Sequence, residues 1–506
     1  MTWTESLVLD ASGKVASGLL VGTIGDLGNF DECLATTVEN MYGERDFTGR
    51  FCTVYMNFKN NTFVAKMVAR YTLATVAILV AAATAADVAL RTVLKRRMST
   101  KPKGILYDVV YGFSVVSNTE KLLKTDPSDP ADSKLKFIHG LRFYSSTWVM
   151  LGHAFLIADP TATGSLMNVV DLVEDFLTTL IANAFPSVET FLFISGFLVS
   201  YNVQKTLRNK TKLIFWVPLI ILRRYIRRPY LGALFAALAT VVSSAYTGVV
   251  SYLNNYQPAV IFTHTDVSYT IGTANQIYFK PFAHVGSFCI GVLLGYYIYV
   301  APKMKLSKPV QVLCWCAATA CNLAIVLAPH KWYTDHSYSI KQPECLLYAS
   351  LHRVAWTLGV AWLVFACATG RGGIVMSLLS WPALVPLSRL SYGAFLCHVV
   401  ILLVQMMTNR ERIAYTYMVK TMNYLAVVMA SYLCAYLLYL FCEAPVATLE
   451  RTLLGGIGSP RRGGPASRLT VIVPKAADQH LPPGSSLREL PATPAAAEES
   501  SQRSHL

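Results

Sequence analysis

Read for polarity alone, the chain is a series of apolar blocks separated by short polar or basic stretches. The blocks run to about 20 residues, the length that crosses a hydrocarbon core of roughly 30 Å. The pattern predicts spans near 70–91, 138–157, 187–203, 230–251, 282–300, 309–328, 350–369, 388–407 and 420–442. Two apolar pieces are too short to cross. LIFWVPLIIL (213–222) abuts RRYIRR and reads as an interfacial or re-entrant piece. The segment from Ile374 to Pro386 is broken by Pro382 and Pro386. Residues 1–62 are polar and Gly-rich with turn signals such as Asp10-Ala-Ser-Gly13, and no apolar h-region opens them, so no signal peptide is expected. Beyond about Gly455 the chain turns to Gly, Pro, Ser, Ala and Arg, a composition that cannot bury a core. The predicted fold class is all-α: a polytopic transmembrane helical bundle with a small N-terminal segment and a disordered tail.

Composition agrees. The 506 residues are 54% hydrophobic and 14% charged, with a mean hydropathy of +0.42, against about 25% charged residues in a soluble domain. The net charge of +15 sits in clusters that flank the apolar blocks. That is a topology signal and excludes a nucleic-acid-binding face. RTVLKRRMSTKPK (91–103), the basic stretch 204–228 and KMKLSK (303–308) are expected in the cytosol. The loop 158–186, with Asp159, Asp171, Glu174 and Asp175 but no Lys or Arg, is expected outside. Nine crossings then leave the N-terminus outside or luminal and the C-terminus cytosolic, in the plasma membrane or an endomembrane.

The 11 cysteines show no metal-ligand spacing, and no metal is expected. Cys314, Cys316, Cys397 and Cys434 lie in apolar blocks and read as buried thiols. Cys33 and Cys52 lie in the polar N-terminal segment and are candidates for a disulfide in an oxidising lumen. Asn60-Asn-Thr62 is a glycosylation sequon on the expected outer side.

Ionisable residues inside the membrane mark function by default. GLRFYSSTWVMLGHAFL places Arg142 and His153 11 residues apart, about 16.5 Å of rise and three turns plus roughly 20°. Both therefore lie on one stripe, Arg142 toward the cytosolic boundary and His153 deeper. The next span enters from outside with SVETFLFISGFL, which puts Glu189 at a depth near that of His153. A carboxylate on one ring nitrogen would leave the other as a general base. Ser195 and Gly196 are small residues that allow close helix approach. The bland readings are a snorkelling Arg, a packed His and a packing Ser-Gly pair.

KFIHGLRFYSSTWVMLGHAF and SVETFLFISGFLVSY resemble the opening helices of the membrane-bound acyltransferase type 3 family, although Asp is common there at Glu189. RRYIRRPY, IYFKPFAHVGSFCIGVLLGY, LSRLSYGAFLCH and CEAPVATLE follow in family order. DASGKVASGLLVGTIGDLGNFDECL is similar to the extracellular domain of the nose resistant to fluoxetine-like animal branch. The resemblance implies about eleven spans, of which two have no counterpart between Tyr230 and Tyr278. It divides the chain into an extracellular segment (1–62), a first helix with a basic linker (63–133), the acyltransferase type 3 domain (134–453) and a disordered cytosolic tail (454–506).

By that resemblance Arg142 binds the acyl donor, expected to be acyl-CoA, and His153 is the catalytic base. Glu189, Ser195 and Gly196 form part of the cavity wall. Arg389, Tyr392 and His398 belong to a late block, for which anchoring of Arg389 and core packing of His398 are the plainer readings. Glu443-Ala-Pro445 is expected to end the last helix. The implied reaction moves an acyl group to a hydroxyl of a lipid, sugar or small molecule. The competing readings are a transporter taking up lipids or xenobiotics and a catalytically inactive member. The expected partners are the bilayer, the acyl donor and the hydroxyl acceptor.

Overall fold

A computed structural model describes residues 37–39, 45–48, 62–97, 110–125, 134–156, 166–208, 229–261, 267–300, 306–334, 339–408 and 414–450. Cys33, Cys52, Asn60, the short apolar piece 213–222 and the tail expected at 454–506 lie outside the described residues. Near the N-terminus a short antiparallel pair, β1 (Thr37–Glu39) and β2 (Arg45–Thr48), sets Val38 opposite Phe47. The other described residues form helices and the turns that join them.

In chain order the helices are α1 (Thr62–Arg97), α2 (Val115–Leu123), α3 (Phe137–Leu156), α4 (Leu166–Glu174), α5 (Phe176–Ala182), α6 (Pro186–Arg208) and α7 (Pro229–Asn254). There follow α8 (Val267–Thr273), α9 (Val285–Val300), α10 (Lys308–Leu327), α11 (His330–Thr334) and α12 (Pro343–Ala368). The last are α13 (Gly373–Leu379), α14 (Leu384–Thr408) and α15 (Tyr417–Leu438). Among the described residues, 8 helical stretches are long and apolar enough to cross a membrane: 74–92, 176–205, 230–254, 281–300, 308–334, 343–368, 384–408 and 417–450. Each overlaps a predicted span. Among the described residues of 230–278 are the long α7, the short α8 and a π-helical turn over Ala274–Tyr278.

The predicted span at 138–157 forms α3 in full but is not among those eight. Its Arg142, Ser145, Ser146, Thr147 and His153 lower its apolarity. Ser145 and Ser146 are buried, so α3 hides polar groups against neighbours instead of showing them to lipid. It packs on α14, α15, α6, α13 and α5. Phe137 and Ile138 join Phe193, Ile194 and Val364 in the largest apolar cluster. Lipid tails are as apolar as these side chains, so tight contact and hydrogen bonds hold the helices together.

The closest pairing is α6 with α9. A Cβ at Gly196 would lie 2.2 Å from the Phe288 carbonyl oxygen, and one at Gly291 would lie 2.2 Å from that of Phe193. Only glycine fits at this spacing. Gly196 therefore serves the approach of α9, as its small size suggested.

Three sequence expectations change. The broken segment 374–386 forms α13 and a turn, and it packs on α3. Pro445 does not end the last helix. A π-helical turn over Tyr439–Glu443 precedes it, and helix continues to residue 450. The wider turn re-registers the hydrogen bonds ahead of the missing proline N–H. The four cysteines read as buried are free thiols, but Cys316 is exposed and Cys314, Cys397 and Cys434 are half-buried. An apolar helix face turned to lipid accepts a thiol as readily as a protein interior does.

Candidate functional site

The two imidazoles at the core of the site come from α3 and α14. His153 Nδ1 lies 2.8 Å from His398 Nε2, with ring planes 9° apart and centroids separated by 5.1 Å. That separation, with nitrogens in contact, sets the rings edge to edge and aims the hydrogen bond in their common plane. His398 is fully buried, and its Nδ1 faces the Phe395 carbonyl oxygen. A carbonyl only accepts, so His398 Nδ1 carries a proton and, in a neutral ring, Nε2 carries a lone pair. His153 Nδ1–H must then donate to it. The remaining nitrogen, His153 Nε2, is left as an acceptor, and it makes no hydrogen bond among the described residues.

One turn below Arg142, His139 Nδ1 lies 3.1 Å from Ser388 Oγ on α14. The contacts 139–388 and 153–398 ascend together, so α3 and α14 run parallel. Arg142 is half-buried and makes no ion pair among the described residues. Arg142 and Arg389 both lie near His139, so cationic side chains gather at this end of α3. The Arg389 guanidinium is itself spoken for. Its Nη1 donates to the carbonyls of Lys121 (2.8 Å) and Leu122 (2.6 Å), closing the C-terminus of α2.

Glu189 does not orient His153. Its Oε1 lies 2.6 Å from His284 Nδ1 and 3.2 Å from Arg353 Nε, and its Oε2 accepts from Ser287 Oγ at 2.6 Å. Helix spacing leaves azimuth open, and Glu189 turns toward α9 and α12. Ser195 is exposed and donates back to the Phe191 carbonyl at 2.9 Å. Tyr392 is 73% exposed. No hydrogen bond joins Ser195 or Tyr392 to either imidazole among the described residues. His398, read as core packing, is buried and is also the group that fixes His153.

Sequence reading missed several residues. Lys420 on α15 is buried, donates to the Ala154 carbonyl at 3.4 Å and lies 3.6 Å from the centroid of the Tyr415 ring. A cation on the last carbonyls of α3 suits the helix dipole and puts positive charge one residue from His153. Arg353 and His284 were equally open to the rule that marked Arg142, a charge inside an apolar block. Tyr278, just outside the spans, has its hydroxyl pushed up to about 12 by burial and then by Glu189, which keeps it a neutral donor. Among the described residues, no three His, Cys, Asp or Glu side chains gather as a metal site.

Residues 5–82 match the family described as nose resistant-to-fluoxetine protein, N-terminal domain, a stretch that runs past residue 62 into α1. Nose resistant to fluoxetine protein 6 of Caenorhabditis elegans is 22% identical over 448 residues, covering 68% of this chain and 54% of the relative. The chain thus spans about half the length of the curated relative it matches. No solved structure matches it. With its apolar helices and these similarities, the chain is a multi-pass membrane protein similar to the nose resistant to fluoxetine proteins.

Proposed function

We propose that this protein is a membrane O-acyltransferase. The observation that carries the reading is the relay from the Phe395 carbonyl through His398 to His153, which leaves His153 Nε2 unprotonated. In the proposed reaction His153 Nε2 takes the proton of an acceptor hydroxyl as its oxygen attacks the thioester carbonyl of an acyl-CoA. The tetrahedral intermediate then expels the thiolate, which takes that proton back, leaving an ester and free CoA. Arg142, at the other end of α3 and without a carboxylate partner among the described residues, grips the donor's phosphates. The ~16.5 Å of helix between the two groups is within the reach of an extended pantetheine arm. The donor is expected from the cytosol, and the acceptor is a hydroxyl of a lipid, sugar or small molecule.

The test uses the purified chain with labelled acyl-CoA and a panel of hydroxyl acceptors. Loss of the general base in His153→Ala should lower acyl transfer about 10²–10⁴-fold. Equal transfer by the variant and the parent would sink the reading.

Uptake of lipids or xenobiotics without chemistry is the second reading. Its support is the buried Glu189–His284–Arg353 cluster within the spans, since intramembrane charges also mark transport paths. Mass spectrometry of substrate on both sides of a vesicle separates unchanged from acylated molecules.

A further inference from the structure

A second polar site stands apart from the histidine pair. Asn183, Ser251, Gln257, Thr273, Tyr278, His352 and Arg353 help line a cavity of about 30 Å³ among the α5–α6 turn, α7, α8 and α12. Two of its polar side-chain atoms lack partners among the described residues. Ser251 Oγ and Gln257 Nε2 are buried and make no hydrogen bond. The Gln257 amide is oriented by its own oxygen, which accepts from Ile261 N at 3.1 Å and Thr270 Oγ1 at 3.4 Å. Its NH₂ is therefore the end left unpaired. Arg353 spends Nε on Glu189, and its terminal nitrogens have no hydrogen-bond partner among the described residues. The side chain is only 12% exposed. Unmade hydrogen bonds of buried donors are costly, and most of all those of a charged group.

The charge of the cluster can be counted from geometry. His284 Nε2 lies 2.8 Å from the Tyr278 carbonyl oxygen, an acceptor, so Nε2 carries a proton. His284 Nδ1 and Glu189 Oε1 meet at 2.6 Å and must share another. Wherever that second proton sits, the Glu189–His284 pair is neutral. Arg353 then leaves one uncompensated positive charge inside the bundle, at a cavity lined by further donors.

We propose that this cavity holds one monovalent inorganic anion of chloride size, bound by the Arg353 guanidinium, the Gln257 amide and the Ser251 hydroxyl. One negative charge balances the cluster. The space exceeds the ~10–15 Å³ that one water needs and is too small for a carboxylate metabolite or a phosphate headgroup. A water would satisfy the donors but leave the charge standing.

The test uses the full-length protein in detergent, unfolded thermally in sodium chloride or bromide against sodium gluconate at equal ionic strength. The parent's Tm should rise saturably with either halide, because a ligand bound only to the native state stabilises it. Ser251→Ala, losing a hydrogen bond to a charged partner, should raise the half-saturating bromide concentration about tenfold. Gln257→Glu would supply a tethered negative charge. It should elute as the parent does and hold the same Tm in halide and gluconate. Equal parental Tm values in halide and gluconate would mean that the cavity holds only water and would overturn the proposal. Unchanged halide dependence in both variants would put the anion elsewhere and overturn it equally.

Discussion

At the scale of single residues, the site depends on which nitrogen of His153 carries a proton, and His398 decides it. Replacing His398 by Leu removes the acceptor and lets the His153 ring turn over. Replacing it by Gln keeps an oxygen that can accept from Nδ1–H. If His153 acts as a base, His398→Leu should reduce acyl transfer at least tenfold, and His398→Gln should retain more activity than Leu. Equal rates for both variants and the parent, measured with the same labelled donor, would show that the relay does no chemistry. The Arg142–His153 stripe was readable from spacing, because 3.6 residues per turn is a local rule. Its partner was not, since His398 lies 245 residues farther on. Helix period and depth place a side chain on its own rod and leave open which rod it meets. Glu189 therefore looked like the partner until α9 and α12 were seen to claim it.

At the scale of helices, length and apolarity were legible and packing partners were not. The α6–α9 contact is the sharpest case, since no periodicity in SVETFLFISGFL names the helix that Gly196 will touch. Glu189 with Ser287 and Phe193 with Gly291 advance together along α6 and α9, so the two helices run parallel. At Gly291 the obstacle to a Cβ is the backbone of α6, which cannot rotate away. Gly291→Ala should therefore destabilise the bundle by about 1–3 kcal/mol, in the range for overpacking, seen as a lower Tm in detergent. Leu433→Ala, at a position 61% exposed on α15, serves as the control and should leave Tm nearly unchanged. An unaltered Tm for Gly291→Ala would mean that α6 and α9 separate without loss. A second device joins α1 to α2. Asp87, buried on α1, accepts from Ser114 Oγ and Ser117 Oγ at 2.6 Å each and pairs with Arg91, which also reaches Glu120. An acid inside the first span thus works as a clasp between helices.

At the scale of the whole molecule, the open question is whether α3 crosses the membrane, because it falls short of the apolarity of the other eight candidates. The directions of the packed helices answer in favour of crossing. α3 runs parallel to α14 and antiparallel to α15, since Phe143 meets Tyr432 while Ala154 meets Lys420. The chain leaves the His153 end of α3 and must return to the Ser388 end to start α14. Among the described residues the candidate spans that include α6, α7, α9, α10 and α12 lie between, and five crossings would make that return. A non-crossing α3 would break this parity. Among the described residues, counting α3 gives nine candidate crossings, an odd number that would put the termini on opposite sides. Without it there are eight, and they share a side. The basic stretch 91–103 and the acidic loop 158–186 favour an outside N-terminus and a cytosolic C-terminus. Epitope tags at the two ends of the full chain, probed in intact and permeabilised cells, should give an N-terminal signal before permeabilisation and a C-terminal signal only after it. Both tags appearing under the same condition would remove α3 from the membrane and separate Arg142 and His153 from any lipid-embedded cavity.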